Sequence, residues 1–126
     1  MNHDISILIV EDLFTTRLFM RRTLKSLGFQ NVVLADDGKS ALDEIKSKRF
    51  DLIVSDWNMP RMSGLDFFRA LKKDRAYKDV PFLLVSSETE KAKVLEARKA
   101  GISHYMIKPV KPEILESKIK EVFAEA

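Results

Sequence analysis

Several short apolar runs in this chain stop at residues able to do chemistry. Residues 5–10 end at Glu11-Asp12, residues 52–55 at Asp56, residues 81–85 at Ser86-Ser87, and residues 104–107 at Lys108-Pro109. Three carboxylates brought together repel one another unless a cation lies between them. An oxygen-only ligand set suits Mg²⁺ (or Mn²⁺), and neither His nor Cys is near in sequence to suggest zinc. A carboxylate beside such an ion can attack a phosphoryl group and become an acyl phosphate. The charge on the transferred group calls for a cation and a hydrogen-bond donor, which Lys108 and Ser86 offer. Each residue also has a plainer reading. Asp56 suits a turn, Glu11-Asp12 a helix start, Ser86 a helix cap and Lys108 solvent. Four such coincidences at four different strand ends favour a site.

The elements between these residues must bring them together. Runs rich in β-branched residues and bounded by turn formers read as buried strands, here residues 5–10, 31–35, 52–56, 81–85 and 104–107. Between them, apolar residues at helical spacing predict helices over about 14–27, 40–48, 65–73, 90–99 and 112–123. In the first helix these are Phe14, Leu18, Met20, Leu24 and Leu27, with Gly28 at the C-terminal cap. Asp36-Asp37-Gly38 reads as a turn, and Pro112 falls in a helical first turn, where Pro is tolerated. Strict alternation of strand and helix implies an α/β protein: a parallel sheet with helices on both faces, three layers in all. Right-handed crossovers leave few strand orders, the commonest being 2-1-3-4-5. Strands one and three then flank the point where the order reverses. Glu11, Asp12 and Asp56 thus fall at the crevice where open α/β sheets bind ligands.

The 126 residues fit one domain, 1–126, near the commonest domain size. No apolar stretch approaches the roughly 20 residues needed to span a bilayer, and the start carries no secretory pattern, so a cytoplasmic protein is expected. Without cysteine, disulfides and thiolate catalysis are excluded. The net charge of +3 sets 22 basic residues against 19 acidic ones scattered along the chain. Arg17, Arg21 and Lys25 fall on one helical stripe, read as a solvated face rather than a nucleic-acid patch.

The ordered set Ile9-Val10-Glu11-Asp12, Ser55-Asp56-Trp57-Asn58-Met59-Pro60, Gly64-Leu65, Val85-Ser86-Ser87-Glu88, Gly101 and Tyr105-Met106-Ile107-Lys108-Pro109 resembles the receiver domain of response regulators. The likeness is nearest to the single-domain chemotaxis type and covers nearly the whole chain. It implies the flavodoxin-like (βα)5 fold in the 2-1-3-4-5 order, for which chemotaxis receivers are themselves a standard example. It implies that Asp56 accepts a phosphoryl group from a histidine kinase. Asp12 would bind Mg²⁺ directly, Glu11 through water, and Asn58 through its main-chain carbonyl. Ser86 matches the switch hydroxyl, Lys108 the lysine that pairs with the phosphoryl group, and Tyr105 the aromatic switch. The Lys108-Pro109 bond matches a position that is cis in the family. Ser87 should leave access to the phosphate open, while Asn58 and Glu88 match members that dephosphorylate themselves quickly. Glu11 in place of an aspartate, and Ser86 in place of the commoner threonine, are departures that keep the chemistry.

No room is expected after residue 123 for an output domain, so the resemblance places output on a protein contact. That face is the fourth helix, fifth strand and fifth helix, around Lys91, Tyr105 and residues 113–120. The expected partners are a histidine kinase and a downstream protein target, with a phosphatase as a further one; neither nucleic acid nor membrane is expected, and the protein should be a monomer. A chemotaxis role, another phosphorelay, a phosphate sink and a phosphorylation-independent receiver all share this motif set. An aspartate-nucleophile phosphohydrolase fits worse, since the residue two beyond Asp56 is Asn58, which cannot act as general acid. A flavodoxin-like mononucleotide binder fits worse too, because Glu11-Asp12 would repel a phosphate at its loop.

Overall fold

The computed structural model describes residues 2–87 and 91–124. Strand and helix alternate without interruption: β1 (Ser6–Val10), α1 (Phe14–Ser26), β2 (Asn31–Ala35), α2 (Gly38–Ser47), β3 (Leu52–Asp56), α3 (Gly64–Lys72), β4 (Phe82–Ser86), α4 (Lys91–Ala100), β5 (Tyr105–Ile107) and α5 (Pro112–Ala124). All strands are parallel, in the order β2-β1-β3-β4-β5. The register aligns Val10 with Ala35 and Ser55, Asp56 with Val85, and Ser86 with Ile107. Every strand therefore ends at the same edge of the sheet.

Side chains alternate across a strand, so each central strand feeds two cores. Ile7, Ile9, Leu52, Val54, Leu83 and Val85 pack with Met20 and Leu24 of α1 and Leu115, Ile119 and Val122 of α5. Leu8, Val10, Ile53 and Leu84 pack on the other face with α2, α3 and Ala97 of α4. Burial of β3 and β4 on both faces explains why they read as continuous apolar runs. Truncating a fully buried leucine such as Leu24 or Leu115 to alanine should cost about 2–5 kcal/mol.

Among the departures from the sequence expectation, two boundaries and the exposure of one residue are informative. Helix α2 starts at Gly38 rather than Ser40, because the Asp37 carboxylate caps it by accepting the Ser40 amide at 2.7 Å. That bond also draws the Asp37 carboxyl below its ordinary value. Strand β4 runs through Ser86, which pairs with Ile107 instead of opening a loop. Phe14 of α1 is 63 % exposed rather than in the core, where Met20, Thr23 and Leu24 are the buried residues of that helix. Gly28 follows α1 with φ 105°, the left-handed conformation that favours glycine at this position.

Candidate metal and phosphoryl-transfer site

At the carboxyl edge the sheet ladders continue for one more bond and carry the functional residues with them. The Glu11 amide donates to Ala35, the Trp57 amide to Val85, and the Lys108 amide to Ser86, at 3.0, 3.0 and 2.9 Å. Glu11 is completely buried and Asp56 is 6 % exposed, while Asp12 is half-buried. One carboxylate oxygen from each of the three lies within 4.8 Å of the others.

Lys108 bridges two members of this cluster. Its ammonium lies 2.8 Å from Glu11 Oε1 and 3.4 Å from Asp56 Oδ1. Glu11 Oε2 accepts the Leu13 amide at 3.2 Å, and Asp56 Oδ1 accepts the Trp57 amide at 2.9 Å. Both oxygens of Glu11 are thus engaged by the protein. Among the described residues, three carboxylates face one lysine, so the cluster is under-neutralised. Burial pushes the Asp56 carboxyl above its ordinary value, although Lys108, Glu11 and the Trp57 amide pull the other way. Burial also raises Asp12, reinforced by the hydrogen bond and negative charge of Glu11. Burial lowers Lys108, but Glu11 and Asp56 outweigh it and the ammonium is held above its ordinary value. Close-set oxygen ligands with excess negative charge fit a hard divalent cation.

A glycine closes one wall. The Gly64 amide donates to the Trp57 carbonyl at 2.8 Å. A Cβ there would overlap the main-chain carbonyl oxygen of Asp56 and lie 3.1 Å from Trp57 Cα. The end of β3 can approach α3 only because this residue lacks a side chain.

The remaining candidates surround this centre. Ser86 is buried at the end of β4, whereas Ser87 and Asn58 are exposed. Tyr105 is half-buried on β5, with the Lys118 ammonium of α5 6.0 Å from its ring centroid. Ser86 and Tyr105 line one small cavity of about 20 Å³ with Trp57, Lys93, Val94 and Ala97. The Lys108-Pro109 peptide is cis. Glu88 lies outside the described residues. Lys91 opens α4, and its side chain lies outside them too.

One reading needs correction. Arg21 and Lys25 are exposed as expected, but Arg17 is not part of a merely solvated stripe. It is half-buried and donates to the Glu11 carbonyl at 2.8 Å. Helical spacing alone cannot reveal that a long side chain turns back to the loop before its helix.

The comparisons with known proteins agree with this geometry. The response regulator receiver domain family matches residues 7–120. Chemotaxis protein CheY of Pseudomonas aeruginosa is 42% identical over 117 residues, covering 93% of this chain and 94% of that protein. Chemotaxis protein CheY-3 of Vibrio cholerae is 37% identical over 123 residues, 98% and 95% of the two chains. Among solved structures, CheY4 of Vibrio cholerae superposes with a TM-score of 0.89 at 34% identity, covering 94% of this chain and 98% of that one. The receiver domain of a Pseudomonas aeruginosa sensor histidine kinase reaches 0.87 at 25% identity, covering 96% and 98%; that structure holds a magnesium ion coordinated in its active-site cleft. The chain belongs to the response regulator receiver domain family, the phosphorylation-controlled modules of two-component signalling. Among the described residues, no helix is long and apolar enough to cross a membrane.

Proposed function

We propose that Asp56 accepts a phosphoryl group from a histidine kinase and that the modified protein then binds a downstream protein target. The observation that carries this reading is the meeting of Glu11, Asp12 and Asp56 within 4.8 Å, with Lys108 reaching both Glu11 and Asp56. An Asp56 oxygen attacks the phosphorus as the bond to the donor's imidazole nitrogen breaks, and that nitrogen leaves with the electron pair. A divalent cation at this site would be held by Asp12 and Asp56 directly, by the Asn58 main-chain carbonyl, and by Glu11, whose oxygens are already engaged, through water; it would supply positive charge to the phosphoryl oxygens. Lys108 exchanges its contact with Asp56 for one with the phosphoryl group, and the Ser86 hydroxyl donates to another of its oxygens.

The response reaches the surface through the cavity that Ser86 shares with Tyr105. Its volume suits about one water, not a phenol ring. Tyr105 therefore turns inward only when Ser86 is drawn to the phosphate and Lys93, Val94 and Ala97 give way. That change remodels the face formed by α4, β5 and α5, shifting the population towards a target-binding conformer. The curated CheY relatives support chemotaxis as the pathway. Asn58 and Glu88 favour rapid self-dephosphorylation, and exposed Ser87 leaves room for water or a phosphatase.

Trp57, the single tryptophan, adjoins the acceptor and is buried, so its fluorescence tests this reading. Mg²⁺ should quench it saturably, and acetyl phosphate should then add a reversible change that Asp56→Asn abolishes. An equal acetyl phosphate response in Asp56→Asn would contradict the assignment.

A further inference from the structure

The three residues between β1 and α1 are Glu11, Asp12 and Leu13, and two of them carry the proposed ligand carboxylates. Helix α1 begins there without the usual support. Leu13 stands at the N-cap, no side chain caps the helix, and its first turn contains no acid. Arg17 supplies the missing hold. Its Nη1 donates to the Glu11 carbonyl at 2.8 Å and reaches the Asp12 carbonyl at 3.4 Å. Phe14 in turn holds Arg17, with the guanidinium carbon 5.6 Å from its ring centroid. This gives the exposed phenyl ring a physical role: a face for the cation, one helical turn before it.

We propose that Arg17, steadied by Phe14, is a positioning residue that sets the divalent-cation affinity of the Glu11, Asp12 and Asp56 cluster. The inference rests on the metal-dependent reading of that cluster. By gripping the two carbonyls, Arg17 keeps the loop in the conformation that turns the Glu11 and Asp12 carboxylates towards Asp56. Without it, the mutual repulsion of three carboxylates is free to spread the loop. Partners behind metal ligands commonly change affinity by about 10–100-fold when removed.

The sign of the effect separates this role from bulk electrostatics. Arg17 is itself a cation near a cation site, so its charge alone disfavours metal binding. If charge were its whole contribution, Arg17→Ala would tighten Mg²⁺ binding. Positioning predicts the opposite.

The test is a Mg²⁺ titration followed by Trp57 fluorescence in wild type, Arg17→Ala and Arg17→Lys, with an Asp12→Asn control. Circular dichroism and urea midpoints in EDTA show which variants are folded. The expected result is about tenfold weaker binding in folded Arg17→Ala, with Arg17→Lys between it and wild type, since lysine keeps a donor but loses the fork. Unchanged or tighter binding in Arg17→Ala overturns the proposal. If alanine unfolds the protein, Arg17→Lys carries the same test, with weaker binding expected and wild-type affinity contradicting it. A metal-free arm separates failure here from failure of the functional reading. In EDTA, hydrogen exchange at the Leu13 amide should quicken at least severalfold in Arg17→Lys. Wild type without a Mg²⁺ response would sink the metal reading, while unchanged Leu13 exchange would sink the clasp.

Discussion

Replacing Lys108 by alanine should destabilise the metal-free protein through Glu11. The Glu11 carboxylate is completely buried, and Lys108 is the cation that meets it, at 2.8 Å. Removing one partner of a buried ion pair typically costs about 3–5 kcal/mol, because a charge is left uncompensated in a poor dielectric. Two features lower that figure here. The Lys108 side chain is 20% exposed, so some water already reaches the pair, and Glu11 keeps the Leu13 amide as a donor. Against them, loss of Lys108 leaves three carboxylates within 4.8 Å and, among the described residues, no ammonium bridging them. The expected cost is about 2–4 kcal/mol. Urea unfolding in EDTA, followed by Trp57 fluorescence, should show a lower midpoint with an unchanged slope. Adding Glu11→Gln removes the stranded charge, so the double variant should recover more than half of the loss. A single variant within about 0.5 kcal/mol of wild type, or a double variant no better than the single, would refute the reasoning.

Three further outcomes follow from the same geometry. Asp12→Asn should abolish Mg²⁺ quenching yet raise the melting temperature of the metal-free protein by about 4 °C, the scale of a gain of about 1 kcal/mol in a domain of this size. The folded-state value of Asp12 is raised above 3.8, so in the wild type stability falls as pH rises from 3.8 through that raised value. The advantage of Asp12→Asn should therefore be full above the raised value and vanish as pH falls below 3.8, which melting curves across pH will check. Gly64→Ala should cost about 2–3 kcal/mol in urea unfolding, because the new methyl group meets the Asp56 carbonyl of a strand that cannot yield; a cost below 0.5 kcal/mol would show that the loop adapts freely. Ser86→Ala should keep the Mg²⁺ response while slowing modification by acetyl phosphate on the order of tenfold or more, measured from the Trp57 time course.

The five strands and the clustering of Glu11, Asp12, Asp56 and Lys108 were legible because they rest on long-range regularities, while the strand order came as the commonest of a few and from the family resemblance. Apolar runs alternate with helical spacing, and each run stops at a chemically distinctive residue. What was not legible depends on side chains reaching across loops. Asp37 looked like a turn residue because Asp36-Asp37-Gly38 also has turn composition, and the same aspartate serves as a local N-cap for the Ser40 amide. Phe14 fits the apolar spacing of α1, but as the first residue of that helix it stands at the rim, above Arg17. Gly64 was among the residues that carried the family resemblance, but its physical role, the close approach of the Asp56 carbonyl, is invisible to periodicity.

The most direct measurement of the central claim is the intact mass of the protein after incubation with acetyl phosphate, with and without Mg²⁺, for wild type and Asp56→Asn. Borohydride reduction of the acyl phosphate would then locate the modified residue. One Mg²⁺-dependent phosphoryl group per wild-type chain is expected, mapped to Asp56, and none on Asp56→Asn. Modification elsewhere, or equal modification of the asparagine variant, would contradict it.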